Sequence, residues 1–256
     1  MIPIKTPEEV LLLRESCSLA VKALAYAKTL LTPGTSTEAI NNKLHTFILD
    51  HHATPSPLNY HGYPKSICTS RNHVICHGIP NESDILTNGD IINIDVTVYK
   101  NGFHGDTSAT FLIGEVSPRV RELVQVALDS LSLGLKEIRP GAHLGNIGAS
   151  IEKKAHEHGF SVVHEYCGHG IGRNFHEDPQ VLHFGKRNTG TVLKAGMTFT
   201  VEPMINLGQR HCKLLPDDWT VITSDGLPSA QFEHTIVVTP KGYEILTEWP
   251  SDLLNL

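Results

Sequence analysis

Four carboxylates and one imidazole stand in settings that suit a metal centre: Asp95 and Asp106 in NIDVTVYKNGFHGDTSATF, His169 in EYCGHGIG, Glu202 in TFTVEPM and Glu233 in SAQFEHTIVV. Oxygen ligands with a single imidazole describe a site for hard or borderline divalent cations, and carboxylates able to bridge suggest two ions. Such a centre activates water, so the chemistry it implies is hydrolysis. Taken alone, any one of these acids is explained as well by a polar strand face in water. Several acids on separate strands whose polar faces converge are a different case. Packed like charges destabilise one another unless cations neutralise them.

The strands that must carry the first two acids are legible. Asn-Gly is a strong hairpin signal, because both central residues of a type I′ turn take positive φ. With Asn101-Gly102 as the loop, Asp95 faces Ser108 and Thr97 faces Asp106. The two aspartates then lie diagonally on one face, roughly 7–8 Å apart at the backbone, within reach of shared ions. A slip of one residue would put them on opposite faces. Alternation supports the first register: Ile92, Ile94, Val96 and Val98 make an apolar face, and Asn93, Asp95 and Thr97 point the other way. Thr198, Thr200 and Glu202 alternate with Phe199 and Val201 in the same manner, as Gln231, Glu233 and Thr235 do with Phe232 and Ile236.

Helices should cover the apolar faces. Thr6-Pro7-Glu8-Glu9 is a helix start, and Pro33-Gly34 closes the amphipathic run that follows. Further helices are expected over about 36–52, from Ser117-Pro118 to Ile138, and over about 143–158, with strands dominating afterwards to about Leu246. The order repeats. Pro33-Gly34 recurs as Pro140-Gly141, and the segment Gly89 to Asp95 lies against Gly196 to Glu202, both at an offset of 107 residues. Two helix pairs, each followed by paired strands, predict a pseudo-two-fold α/β fold around a central antiparallel sheet. Asp95 and Glu202 occupy equivalent places in it.

Bulk properties narrow the field. A net charge of -6, a pI near 6.2 and the absence of a Lys/Arg run argue against a nucleic-acid partner. No stretch approaches the ~20 apolar residues of a membrane span, and MIPIKTPEEV is no secretory signal. Five cysteines without a C-x-x-C pair read as reduced thiols, which predicts a soluble cytoplasmic protein. Most of the sixteen histidines are expected on solvated surfaces. His169 is set apart by Gly168 and Gly170, which permit close backbone approach and unusual φ. His77 in CHGIP and His176 in NFHEDP are candidates for polarising a carbonyl or relaying a proton, and each reads equally well as a surface histidine. A cysteine hydrolase using Cys68 with His77 is a rival, but it has neither a nucleophile elbow nor a third member.

Long strings, namely YHGYPKSICTSRNHVICHGIP, GDIINIDVTVYKNGFHGDTSATF, YCGHGIGRNFHEDP, GMTFTVEPMIN and DDWTVITSDGLPSAQFEHTIVVT, resemble the methionine aminopeptidases, specifically the short type I form typical of bacteria. The resemblance spans nearly the whole chain. It implies the pita-bread fold: one catalytic domain over 1–256, in halves of about 1–115 and 116–256. It implies that a metal-activated hydroxide removes the initiator methionine from nascent proteins when the second residue is small. By position, Asp95 would chelate one metal, Asp106 and Glu233 would bridge two, and His169 and Glu202 would complete the other site, with Glu202 also moving the proton of the attacking water.

The same resemblance gives His176 the scissile carbonyl and its oxyanion, and His77 the substrate backbone and leaving amine. Tyr60, Tyr63, Cys68, Phe175 and Trp219 match the methionine pocket, where a thioether packs well on aromatic edges and sulfur, although each alone fits ordinary core packing. Asn72, Val74 and Ser229 match positions that bind a monovalent cation, Na or K, in some members. Co, Mn, Fe(II) and Zn all suit the divalent set. A monomer acting near the ribosome is expected. The chain lacks the N-terminal zinc-binding extension of eukaryotic type I forms and the insert that marks type II, and it has no room for the separate N-terminal domain of prolidases and aminopeptidase P. A non-enzymatic binding protein on the same fold would have lost ligands; here every expected position is filled.

Overall fold

The computed structural model describes residues 2–254. In the first half, α1 (Pro7–Lys28) and α2 (Thr37–Asp50) precede β1 (Thr54–Pro55), β2 (Cys68–Arg71), β3 (Val74–Cys76), β4 (Ile91–Lys100) and β5 (Phe103–Leu112). In the second, α3 (Pro118–Leu135) and α4 (Leu144–Glu157) precede β6 (Ser161–Val162), β7 (Gly168–Gly170), β8 (Glu177–Val181) and β9 (Thr198–Val201). The chain then makes β10 (Met204–Asn206), β11 (Cys212–Leu214), β12 (Val221–Thr223), β13 (Ser229–Gln231), β14 (Glu233–Val238) and β15 (Tyr243–Ile245).

Helix starts follow local chemistry. Thr6 and Glu9 form a reciprocal capping box on α1, with Pro7 at the first helical position where its missing N–H costs nothing. Ser36 caps α2 and Ser117 caps α3 through their hydroxyls, whereas His143 at the head of α4 makes no side-chain cap.

The main sheet runs β1-β4-β5-β14-β9-β7-β8, with β2 also on β4 and β15 also on β14. Asn101 and Gly102 both take positive φ, 51° and 84°, and the hairpin has the expected register: Asp95 opposite Ser108, Thr97 opposite Asp106. One face of the sheet is apolar. Ile92, Ile94, Val96, Val98, Phe199, Val201, Ile236 and Val238 pack there against Leu24 of α1, Leu44 of α2, Leu131 of α3 and Ile151 of α4, all buried. Each such side chain removed from water contributes about 1.5–3 kcal/mol.

The repeat is physical. Gly34 donates to Leu86 O and Gly141 to Leu193 O; Ser36 bridges Ile85 and His143 bridges Val192; Gly89 donates to Ile113 O and Gly196 to Val238 O. Gly34, Gly141, Gly89 and Gly196 all take positive φ between 83° and 98°, so a side chain at any of these turns would be strained. The opposite, polar face of the sheet is not solvated: Asn93, Thr97, Asp106 and Glu233 are buried. Two histidines depart from the expected surface location, since His183 and His234 are also buried.

Candidate active site

The register of four strands assembles the acids. Asp95 on β4 opposes Ser108 on β5, and Ser108 opposes Glu233 at the start of β14. His234 opposes Val201, so one further step sets Glu202, just past β9, beside Glu233. One row thus reads Asp95, Ser108, Glu233, Glu202. The next row holds Asp106, and Thr235 Oγ1 donates to the Asp106 carbonyl at 2.8 Å. His169 enters from β7, its N–H donating to Thr200 Oγ1 at 3.0 Å. Ligating atoms of Asp106, His169 and Glu233 lie within 4.8 Å of one another. His169 Nε2 is 3.6 Å from Asp106 Oδ2 and 3.7 Å from Glu202 Oε1. Asp95 lines the same cavity as these four and is close enough to Asp106 for their charges to repel. All five residues therefore meet.

Their orientation is fixed by neighbours. Thr97 donates to Asp106 Oδ1 at 2.7 Å, Thr200 to Glu202 Oε1 at 2.7 Å and Gln231 to Glu202 Oε2 at 3.2 Å. His169 Nδ1 lies 3.0 Å from Gly170 O, a contact in which Nδ1–H is the donor, which leaves Nε2 as the atom that faces the acids. Electrostatics demand positive charge in the middle. Burial pushes Asp95 and Glu233 well above the usual carboxylate range, and repulsion from Asp106 adds to it. Burial raises Glu202 to about 7. Burial alone would lower His169, but Asp106 and Glu202 more than offset that and hold it above the usual imidazole range. Facing carboxylates and one imidazole, with no lysine or arginine among them, are the donor set a divalent metal takes, so the residues fit a metal centre.

The glycines beside His169 serve close packing rather than unusual φ. Neither takes positive φ, but a Cβ at Gly168 would sit 2.4 Å from Thr200 O and one at Gly170 2.1 Å from Asp178 O. Among the candidate site histidines His77, His169 and His176, it is His77 that has the left-handed backbone, at φ 55°.

The acids open into a cavity of about 550 Å³. Tyr60, Tyr63, Cys68, Phe175 and Trp219 all line it, as do His77 and His176. Tyr63 meets Trp219 edge to face with centroids 5.1 Å apart, and Tyr60 lies 4.9 Å from Phe175. Desolvation and the nearby His169 lower His77 to about 4. The same causes, desolvation first, hold His176 well below its usual range although the residue is exposed. Cys68 is no nucleophile: burial, and then the charge of Asp95, push its thiol well above the ordinary range, and its partner is Tyr63 rather than His77.

Asn72 and Ser229 are joined by a bond from Ser229 N to Asn72 O, and Asn72 and Val74 line a separate cavity of about 290 Å³. Several contributors were not singled out from sequence. Cys76, Tyr166, Cys167 and Met204 complete the main cavity wall, and buried His183 accepts the Glu202 N–H at 3.1 Å through Nε2. Threonine and glutamine alternating with apolar residues was the available signal for Thr97, Thr200 and Gln231; His183 carried none.

Comparison with known proteins agrees with this geometry. The model of metallopeptidase family M24 matches residues 12–240. The methionine aminopeptidase of Escherichia coli (strain K12) is 51% identical over 96% of this chain and 94% of its own length. The crystal structure of methionine aminopeptidase from Rickettsia prowazekii superposes with a TM-score of 0.95 at 49% identity, covering 97% of this chain and 100% of that one. The methionine aminopeptidase structure from Thermotoga maritima also gives 0.95, at 36% identity, with 97% and 100% covered. With facing acids and an imidazole gathered in one cavity and matches of this extent, the chain belongs to metallopeptidase family M24, among its methionine aminopeptidases.

Proposed function

We propose that this protein is a metal-dependent aminopeptidase that removes the N-terminal methionine of a polypeptide when the next residue is small. The observation that carries the reading is the convergence of Asp106, His169 and Glu233 within 4.8 Å, with Asp95 and Glu202 in the same cavity. The names of its relatives support the substrate class. So does the cavity wall, whose aromatic edges and sulfur suit a thioether.

Asp95, Asp106, His169, Glu202 and Glu233 would hold two divalent ions, with Asp106 and Glu233 shared between them. Co, Mn, Fe(II) and Zn are the candidates that this donor set admits. When bound, such ions supply a water that ionises near neutral pH. Glu202, which lines the same cavity, would take the proton of the attacking water, the role the resemblance to the methionine aminopeptidases gives it. His176, held neutral, hydrogen-bonds the oxyanion that develops on the first peptide carbonyl. A donor aimed at developing charge is typically worth about 10²–10³ in kcat. His77, also neutral, contacts the substrate backbone and assists the departing amine. Tyr60, Tyr63, Cys68, Phe175 and Trp219 hold the methionine side chain.

Asn72, Val74 and Ser229 would bind a monovalent cation, Na or K. Support comes from Asn206, which opposes Ser229 and whose buried Oδ1 has no hydrogen-bond partner among the described residues. The whole chain, 1–256, acts as one catalytic unit, since ligands from both halves share one sheet. A monomer working in the cytoplasm on nascent chains near the ribosome fits five free cysteines and the absence, among the described residues, of any helix long and apolar enough to cross a membrane.

The test is prolonged chelation. It should abolish methionine release from Met-Ala-Ser, with Mn, Co or Fe(II) restoring it, and Met-Lys peptides should resist cleavage throughout. Full activity in protein that elemental analysis shows to be metal-free would sink the reading.

A further inference from the structure

The loop that delivers Tyr60 is built from disfavoured backbone. Asn59 and His61 take φ of 66° and 47°, in the left-handed region that residues with a Cβ avoid, and Gly62 follows at 91°. Four bonds close the turn: Tyr60 N to Pro57 O, Gly62 N to Asn59 O, Tyr63 N to Tyr60 O and Asn59 N to Tyr63 O. Buried Tyr63 pins it through its hydroxyl, which lies 3.0 Å from Ile67 O and 2.9 Å from Gly78 O. Strained backbone held this firmly tends to mark a functional contact. Here the contact is between the Tyr60 hydroxyl and His176 Nδ1, 2.8 Å apart and 116 positions apart in the chain.

Which atom donates decides what His176 can do. A phenol carries one proton, and among the described residues His176 is the hydrogen-bond partner of the Tyr60 hydroxyl. If the phenol donates, Nδ1 is the acceptor, and a neutral imidazole must carry its hydrogen on Nε2. Nε2–H is then free to meet negative charge. In the opposite tautomer Nε2 would present a lone pair to a developing oxyanion, and the two would repel. The phenol also packs, tilted, beside Phe175 and His176, at 4.9 Å and 5.2 Å between centroids, so the ring that donates cannot swing away without losing that packing.

We propose that Tyr60 is a positioning residue that fixes His176 in its Nε2–H tautomer, so that the imidazole meets the reacting carbonyl as a hydrogen-bond donor. The inference rests on the oxyanion role given to His176 above. It goes beyond a wall position for Tyr60, because a wall contact would be served equally by phenylalanine.

Tyr60→Phe separates the two, since it keeps the ring and removes only the hydroxyl. Long-range proton–nitrogen spectra of the ¹⁵N-labelled, zinc-loaded full chain report the tautomer, with His176→Gln assigning the signal. The wild type should show Nε2–H alone, and Tyr60→Phe a mixture with Nδ1–H. On Met-Ala-Ser, Tyr60→Phe should lose roughly five- to tenfold in kcat, the scale of one hydrogen bond, with KM within about twofold. Nδ1–H in the wild type, an unchanged tautomer in Tyr60→Phe, or a raised KM at constant kcat would overturn the inference. A Tyr60-dependent tautomer combined with wild-type kcat in both Tyr60→Phe and His176→Ala would instead overturn the oxyanion role, and with it the catalytic half of the inference.

Discussion

The two halves of the molecule bring equivalent carboxylates to the cavity by different routes. In the first, β4 and β5 are joined by a two-residue turn, so Asp95 and Asp106 are neighbours in both sequence and space. In the second, β9 and β14 pair in the same manner, but residues 202–232 lie between them. That excursion carries Met204 and Trp219 to the cavity wall. The metal set therefore keeps the internal symmetry while the pocket does not. Symmetry fixes where charge can be held, and the asymmetric insertion shapes what is admitted.

The contrast continues one turn upstream. Thr87 to Asp90 and Lys194 to Met197 occupy equivalent places, and Asp90 N donates to Thr87 O as Met197 N does to Lys194 O. The side chain that closes the turn differs. Asp90 accepts from Thr87 N and Thr87 Oγ1, and also from Arg71 and Asn72, whereas Met197 offers only its sulfur to Lys194 N at 3.4 Å. A charged, multiply bonded plug in one half is replaced by an apolar one in the other.

Breaking the shared centre should have the largest effect. Asp106→Ala removes the carboxylate that faces both His169 and Asp95, and steady-state assays on Met-Ala-Ser should find activity near background. A sharper distinction separates two neighbouring histidines of the second half, whose rings lie 4.2 Å apart. His169→Ala should lose metal affinity in calorimetric titration. His176→Ala should keep its metals and melting temperature while kcat falls about 10²–10³-fold. If His176→Ala lost metals as His169→Ala should, the division of roles between them would be wrong.

The turn comparison predicts smaller effects, on stability. Asp90→Asn should cost about 1.5–3 kcal/mol near neutral pH, the range for hydrogen bonds to a charged group. Burial would raise the Asp90 pKa, but bonds from Asn72, Thr87 and Arg71 outweigh it and hold the pKa below its ordinary value of 3.8. The ionised form thus contributes its stability above about pH 4 and loses it as pH falls through the folded pKa. The gap between wild type and Asp90→Asn should close below that range in denaturant titrations. Met197→Leu conserves volume and should cost less than about 1.5 kcal/mol at any pH tested. An Asp90→Asn deficit that did not begin to shrink as the pH fell below about 4 would show that the turn does not depend on charge.

Much of this was legible because it is local. The Asn101-Gly102 turn set the register of Asp95 and Asp106, alternation separated their face from the apolar one, and the 107-residue offset exposed the repeat. Long-range order was less accessible. Nothing in the periodicity of Gln231 to Thr235 says that β14 inserts between β5 and β9, and it is that placement which brings Glu233 to Asp106. The role of Gly168 and Gly170 was half legible. Their small size is needed against Thr200, 32 residues beyond Gly168, and against Asp178 on the next strand, and no special φ is involved. His183 and the Tyr60–His176 pair were invisible, because each contact joins loops whose approach only the folded sheet determines.

The central claim is that neither half holds the metals alone. Titration calorimetry of Mn(II) into wild type, Asp95→Ala and Glu202→Ala tests it directly, because the two substitutions remove equivalent ligands from opposite halves. Each variant should bind metal more weakly or with fewer ions per chain than the wild type. A wild-type isotherm from either variant would contradict a centre built jointly by the two halves.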